Sequence, residues 1–316
     1  MLKSNHKELF DCTYPVLMAP MFLVSNTAMI KAALDNGITA AFPALNYRTD
    51  EQLRKAIDEI KAYSNKPFGV NLIVNKSNLK YKAQLDICLE KKVDFIITSL
   101  GSPEECITKS KPLGIKVFCD VIDLKYAKKV EDLGADAVIA VNAEAGGHAG
   151  NITGSELIKL LVKNLTIPVI SAGGIASASD VKDALELGAE AVSVGTVFIA
   201  SEEAGVSKEY KQALVKYGEK DIVRTTKMSG SALTVINTPY VQSIGTEANW
   251  LEKLMHKNRF LKKFIKMIIT LRGMNIIENA ANKATYKTVW VAGPSIEHVH
   301  AIESCQKIIK RLTKGL

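Results

Sequence analysis

The chain has 316 residues, of which 47% are hydrophobic, 23% charged and 6% aromatic. This composition is typical of a globular protein. It excludes a disordered chain, a fibrous repeat and, because no apolar run approaches ~18 residues, an integral membrane protein. The net charge is +8 at pH 7, but the excess is concentrated between residues 250 and 272, so no nucleic-acid partner is expected.

Eight short apolar runs, rich in Val and Ile, alternate with amphipathic segments over the first two hundred residues. Such runs are typical of strands buried on both faces of a parallel sheet, and the segments between them have helical periodicity. Helices are predicted from about Asp50 to Tyr63 and from about Asp123 to Leu133. The apolar runs are VLMAPM from Val16, ITAAFPAL from Ile38, FGVNLIV from Phe68, DFIITSL from Asp94, KVFCDVI from Lys116, DAVIAVN from Asp136, PVISAG from Pro168 and AVSVGTVF from Ala191.

Eight βα units predict an α/β fold of the (β/α)8 TIM-barrel type that closes near Phe198. The competing doubly wound sheet usually has a glycine-rich first turn, whereas the turn APMFLVSN has no glycine. We assign residues 1–220 to the barrel. Residues 221–285, where no strand pattern is found, are predicted to form a mostly helical cap. Residues 286–316, with a last helix from about Ile296 to Leu312, would return to the barrel.

The predicted cap contains a basic stretch between Trp250 and Arg272, with seven Lys or Arg residues against one acidic residue. In helical spacing its apolar residues share one face. We predict a helix that packs on the barrel and exposes its charged face to solvent. Contact with an acidic carrier protein or a membrane surface is the alternative.

Three glycine clusters follow the sixth, seventh and eighth runs. Glycine lets the main chain approach a ligand closely, and successive N–H groups can surround an anion. TIM barrels often bind phosphate after strands seven and eight. The clusters therefore predict a phosphate-containing ligand, although tight turns alone would also explain them. The clusters are AGGHAG from Ala145, SAGGI from Ser171, which contains Ala172, and VGT from Val194.

His148 is the candidate catalytic residue. It is the histidine predicted at the carboxyl end of a strand, and glycines on both sides, Gly147 and Gly150, leave it accessible. Histidine titrates near neutral pH, so it can accept a proton or donate a hydrogen bond. Glu144 would orient this side chain, line the pocket or bond the amides of its own loop.

The motifs APM, GVNL, AEAGGHAG, PVISAGGI and VGTVF, which follow one another between about Met18 and Ser201, resemble those of the nitronate monooxygenase family. This family was formerly called the 2-nitropropane dioxygenases. A weaker match follows at WVAGPS. The resemblance implies a TIM barrel that holds FMN without a covalent link, and it assigns a role to each motif residue.

By resemblance, His148 would be the catalytic residue that faces the substrate. Asp120 departs from the pattern, because some members carry a lysine there that would stabilise a reduced, anionic flavin. The resemblance implies that Ala19, Pro20 and Met21 run along the flavin ring, Asn71 bonds its polar edge, Gly146 and Gly147 pass near it, and Gly173, Gly174, Gly195 and Thr196 hold the phosphate.

The implied activity is FMN-dependent oxidation of alkyl nitronates by O2 to a carbonyl compound and nitrite. One alternative is an FMN-dependent NAD(P)H reductase, either an enoyl-acyl-carrier-protein reductase or an NADH:quinone reductase. A lesser alternative is a flavin- or phosphate-binding protein without catalysis. The expected partners are therefore a small-molecule substrate and O2, with NAD(P)H in the reductase case, and a homodimer is left open.

The five cysteines are scattered and form no CxxC pair. This pattern excludes a disulfide framework and a zinc site, so we expect no metal. The first residues, MLKSNHKELF, lack the apolar core of a secretory signal. A reducing cytoplasm is the expected location.

Overall fold

The structure, a computed structural model, describes residues 6–76, 78–226, 232–247 and 289–316. Eight parallel strands form a closed barrel, and its last strand pairs with its first, since Leu17 lies opposite both Thr39 and Ser193. The predicted barrel is confirmed, and each strand lies within one of the eight apolar runs. The barrel strands are β1 (Val16–Met18), β2 (Thr39–Pro43), β3 (Gly69–Ile73), β4 (Phe95–Ser99), β5 (Lys116–Val121), β6 (Ala137–Val141), β8 (Val169–Ala172) and β9 (Ala191–Val194).

Helices cover the outside of the barrel between its strands. The predicted helix Asp50–Tyr63 has these bounds in the structure. It begins with a reciprocal cap in which Oγ1 of Thr49 accepts from the Gln52 main chain and the Gln52 side chain accepts from the Thr49 main chain, both at 3.2 Å. The described helices are α1 (His6–Phe10), α2 (Thr27–Asp35), α3 (Asp50–Tyr63), α4 (Tyr81–Glu90), α5 (Glu104–Ser110), α6 (Leu124–Asp132), α7 (Gly154–Asn164), α8 (Ala178–Glu186), α9 (Thr196–Ile199), α10 (Lys208–Lys216), α11 (Pro239–Ile244) and α12 (Cys305–Leu312).

Helix α1 closes the amino-terminal end of the barrel. The buried ring of Phe10 lies 5.8 Å from that of Phe95 and 5.5 Å from that of Phe118, measured between centroids. Lys116, the first residue of β5, donates to the main-chain oxygen of Leu9 at 3.2 Å. A Cβ atom on Gly69 would lie 2.1 Å from the Phe95 ring. The glycine of the GVNL motif is therefore required by packing inside the barrel.

A small antiparallel sheet lies beside the barrel. It contains β7 (Gly147–His148), β10 (Ile222–Thr225) and β11 (Leu233–Ile236), with β11 in the centre. The prediction that no strands follow residue 221 is therefore wrong for this segment. Antiparallel pairs need no crossover helix, so β10 and β11, of four residues each, do not produce the alternating strand and helix pattern that identified the barrel.

The carboxyl-terminal segment contacts the barrel. The predicted helix from Ile296 to Leu312 is wrong in its first part, where a 3₁₀ turn, Pro294–His298, precedes α12. The two are separated because Glu303 forms a bridge with Ser201. Helix α12 packs against α2 and α8.

The division into residues 1–220, 221–285 and 286–316 stays a prediction. The basic stretch between residues 250 and 272 lies outside the described residues. Among the residues that the structure describes, no helix is long and apolar enough to cross a membrane.

Candidate active site

A cavity of about 770 Å³ opens at the carboxyl-terminal end of the barrel strands. This is the end at which TIM-barrel enzymes bind their ligands. A smaller cavity of about 260 Å³, lined by Cys12 and Pro67 among others, contains none of the predicted site residues. The large cavity is lined by all thirteen of them: Ala19, Pro20, Met21, Asn71, Asp120, Gly146, Gly147, His148, Ala172, Gly173, Gly174, Gly195 and Thr196.

Hydrogen bonds hold the turn after β1 in place. The Ala19 main chain donates to the Val194 oxygen at 2.8 Å, which ties the turn to β9. The Met21 main-chain N–H donates to Oγ of Ser25 at 2.9 Å, and Nδ2 of Asn46 donates to the Met21 oxygen at 3.2 Å. This turn, which has no glycine, is thereby fixed against the cavity.

A chain of hydrogen bonds crosses three strands in the cavity wall. Nδ2 of Asn71 donates to the Ile97 oxygen at 3.2 Å and to Oγ of Ser99 at 2.7 Å. The Ser99 hydroxyl in turn donates to Oδ2 of Asp120 at 2.5 Å. The direction is fixed, because a main-chain carbonyl can only accept and the Asn71 amino group must face it. Sequence analysis missed Ser99, since no local pattern connects it with these partners.

The Asp120 carboxyl group titrates in an unusual range. Burial raises its pKa to about 6, and the hydrogen bond from Ser99 lowers it only in part. Burial prevails because removing a carboxylate from water disfavours the charged form more than one donor restores it. The group therefore changes its charge close to neutral pH, inside the cavity.

The loop after β6 packs tightly against the turn after β8. Asn142, whose side chain is buried, donates from Nδ2 to the Gly173 oxygen at 3.1 Å, and its Oδ1 accepts from the Glu144 main chain at 2.8 Å. A Cβ atom on Gly173 would lie 2.1 Å from Oδ1 of Asn142, and one on Gly174 would lie 2.0 Å from Oε2 of Glu144. Both glycines also have positive φ angles, +116° and +80°. Packing between the two loops thus requires Gly173, whose added Cβ atom would also lie 2.7 Å from the main-chain nitrogen of Ala145, whereas Gly174 is favoured by its positive φ angle.

The turn after β8 also presents main-chain N–H groups to which no acceptor among the described residues is bonded. Within the part of the chain that the structure describes, the N–H groups of Gly174 and Ile175 donate to no protein acceptor. Consecutive N–H groups of this kind can bind an anion. No Lys or Arg is among the described residues that line the cavity, so a phosphate there would be held mainly by the main chain.

Thr196 connects the barrel with the carboxyl-terminal segment. Its Oγ1 accepts from the Gly293 main chain at 3.0 Å. A Cβ atom on Gly146 would lie only 2.9 Å from the Gly293 nitrogen. The segment that contains the WVAGPS motif therefore forms one wall of the cavity. The hydrogen bond to Oγ1 of Thr196 holds this segment against the barrel.

His148 lies on β7, opposite Leu233 of β11, and its exposed side chain lines the cavity. The loop that follows is held by Arg224 of β10. The Arg224 guanidinium donates to the Ala149 oxygen at 3.1 Å, to the Gly150 oxygen, and to Oδ1 of Asn151 at 2.9 Å. Sequence analysis missed Arg224, because it lies in the segment where no strand was expected.

A closed barrel with a cavity at the carboxyl ends of its strands is the architecture of a TIM-barrel enzyme, and the family match described next identifies the enzyme as a flavin-dependent oxidoreductase. The model of the nitronate monooxygenase family matches residues 74–315, and the chain belongs to this family.

Two curated relatives are similar over most of the chain. One is the (3aS,4S,5R,7aS)-5-hydroxy-7a-methyl-1-oxo-octahydro-1H-indene-4-carboxyl-CoA dehydrogenase of Rhodococcus jostii, 29% identical over 84% of this chain and 74% of the relative. The other is the probable nitronate monooxygenase of Staphylococcus saprophyticus, 27% identical over 77% of this chain and 81% of the relative.

Two solved structures have the same fold. FabK from Thermotoga maritima superposes with a TM-score of 0.85 and 29% identity, covering 99% of this chain and 96% of that one. The nitroalkane oxidase of Streptomyces ansochromogenes gives a TM-score of 0.78 with 22% identity, covering 97% of this chain and 96% of that one. At this identity the second likeness concerns the fold alone.

Proposed function

We propose that this protein binds FMN at the mouth of its barrel and uses O2 to oxidise alkyl nitronates to a carbonyl compound and nitrite. The observation that carries the proposal is the single cavity of about 770 Å³ that all thirteen predicted residues line. The match to the nitronate monooxygenase family supports the same activity.

The cavity has features that suit a flavin mononucleotide. The open N–H groups of Gly174 and Ile175 would hold its one phosphate. Apolar side chains, among them Ile139 and Val141, line the cavity beside Asn71 and suit a flat ring with a polar edge. A pocket with apolar walls and a few polar groups is typical of cofactor sites.

When bound, FMN would supply the electron-transfer chemistry between the substrate and O2. His148 would donate a hydrogen bond to the nitro oxygens, where the nitronate carries its negative charge. If a neutral nitroalkane binds instead, this imidazole would accept the proton from its α-carbon. Arg224 would hold the loop of His148 in position.

A second candidate is oxidoreduction of an acyl thioester by the same flavin site. The likeness to FabK, an enoyl-acyl-carrier-protein reductase, supports it. So does the first relative described above, whose name contains a carboxyl-CoA. Both candidates use the same cavity and differ in the electron donor.

The two candidates are separated by mixing the purified yellow protein anaerobically with a nitronate alone or with NADH alone. Bleaching by the nitronate, followed by aerobic turnover of propionate 3-nitronate with nitrite release, is the result expected for the first candidate. Bleaching by NADH and consumption of an enoyl thioester would favour the second, and consumption of a quinone would favour a quinone reductase. A protein that stays yellow with every donor would contradict all three and indicate a flavin-binding protein without catalysis.

A further inference from the structure

Asp120 places a carboxyl group in the cavity wall where the flavin is proposed to bind. It is the penultimate residue of β5, and Ile139 of β6 is its strand neighbour. On its other side it accepts a hydrogen bond from Ser99 of β4. Because Ser99 also accepts a hydrogen bond from Asn71, the Asp120 carboxyl group is the final acceptor of a chain that runs from Asn71 through Ser99.

The groups around Asp120 provide no compensating positive charge among the described residues. The nearby titratable groups are Tyr126 of α6 and Cys119, the preceding residue of β5, whose side chain points to the opposite face of the strand. Burial raises the pKa of both, and the Asp120 charge adds to the rise. Asp123, Glu144 and His148 line the same cavity. A negative charge on Asp120 would therefore act on a bound flavin with little screening, since screening by solvent is weak in a buried site.

We propose that Asp120 takes up a proton when the flavin beside it is reduced, and that it thereby links the reduction potential of the flavin to pH. This inference rests on flavin binding in this cavity, and it is independent of which substrate the enzyme uses. A two-electron donor, such as a hydride donor or dithionite, brings two electrons. One proton goes to the flavin to give its anionic reduced form, and a second proton from solvent forms an O–H bond on Asp120. The cavity then gains no net charge.

The burial of Asp120 and its hydrogen bond from Ser99 set the pH range of this proton uptake. In the protein without flavin, burial raises the pKa of Asp120 to about 6, against the effect of the Ser99 hydroxyl. A negative charge on the reduced flavin would raise the same pKa further, because like charges disfavour each other. Between these two pKa values the carboxyl group is charged before reduction and neutral after it.

The test is the midpoint potential of the flavin in the holoprotein, measured against redox dyes from pH ~5 to ~9. Above about pH 6 the wild-type potential should fall more steeply with pH than the potential of Asp120→Asn. The difference in slope should correspond to one additional proton taken up per two electrons. At pH ~8 the equilibrium constant for flavin reduction should be about tenfold or more higher in Asp120→Asn, whereas at pH ~5 the two proteins should agree within about twofold.

Two further variants keep the test decisive. Asp123→Asn removes the same charge from a residue that lines the cavity and is outside the Ser99 chain, and it should leave the slope unchanged. Ser99→Ala removes a bond that lowers the pKa of Asp120, so the steeper region should begin at a higher pH. Parallel curves for wild type and Asp120→Asn would overturn the inference, as would the same slope change in Asp123→Asn. Failure of the nitronate and thioester assays, with the slope change present, would overturn only the proposed function.

Discussion

The guanidinium group of Arg224 donates to the main-chain oxygen of Gly150, two residues beyond His148. Arg224 and Gly150 are 74 positions apart in the chain. Their bond connects the small antiparallel sheet to the loop after β6, so the candidate catalytic histidine is held from both ends: by the pairing of β7 with β11 and by Arg224.

We expect Arg224→Gln to lower turnover about tenfold while flavin content stays unchanged, because a histidine loop that moves by a fraction of an ångström loses its alignment with the substrate. Steady-state kinetics and the visible spectrum check this. Arg311→Gln is the matched control, since Arg311 of α12 pairs with Glu303 at 2.6 Å and neither residue lines the cavity. Equal activity of the two variants would show that Arg224 does not position the loop.

His148→Ala should keep the flavin and lose turnover by a factor of about 10² or more, the usual contribution of a positioned acid or base. The measurement is turnover per bound flavin. His300→Ala, which changes an exposed histidine, should have no effect. A fully active His148→Ala variant would remove this residue from the mechanism.

Gly173→Ala should reduce the flavin content of the purified protein. The new Cβ atom would lie 2.1 Å from Oδ1 of the buried Asn142 and 2.7 Å from the main-chain nitrogen of Ala145, so the turn that carries the open N–H groups would be displaced. Gly114→Ala is the control, because Gly114 also has a positive φ, +70°, but a methyl group added there would meet no atom within 4 Å. Both variants should be destabilised by about 1 kcal/mol from backbone strain. Flavin retention equal to that of Gly114→Ala would contradict the expected role of this turn.

Asp120 should make the apoprotein less stable as the pH rises. Its pKa in the folded state, about 6, exceeds the ordinary value of 3.8. The folded state therefore binds its proton more tightly, so the stabilising effect of the neutral group is present at pH 4 and is lost as the pH passes about 6. Asp120→Asn should raise the free energy of unfolding by about 2 kcal/mol at pH ~8 and change it little at pH ~4. Urea unfolding at both pH values checks this; equal effects at the two values would contradict it.

The barrel could be predicted because its signals are local. Each barrel strand is a short apolar run, and α3 begins at the cap of Thr49, so its bounds agree with the prediction. Strands β10 and β11 were missed because they pair with each other and with β7 through tertiary contacts. The break before α12 was missed for the same reason, since the pairing of Glu303 with Ser201 is not visible in the sequence.

Much of the candidate site could be predicted because parallel strands bring their carboxyl ends together. This is why the thirteen residues, chosen from separate motifs, line one cavity, although their roles stay predictions. Ser99 and Arg224 could not be found in this way, because each acts through a side-chain contact with a distant part of the chain. The glycines were attributed to a ligand, whereas Gly173 also has a packing reason that depends on Asn142, and Gly174 is favoured by its positive φ angle.

The rings of Phe10, Phe95 and Phe118 close the amino-terminal end of the barrel, so the cavity opens toward the carboxyl-terminal end. Any molecule that reaches the floor of the cavity must enter and leave through that opening. In the proposed reaction, the organic substrate and O2 would share this entrance. A bound substrate would then narrow the route of O2 to the flavin, so the shape of the cavity would favour a fixed order of binding.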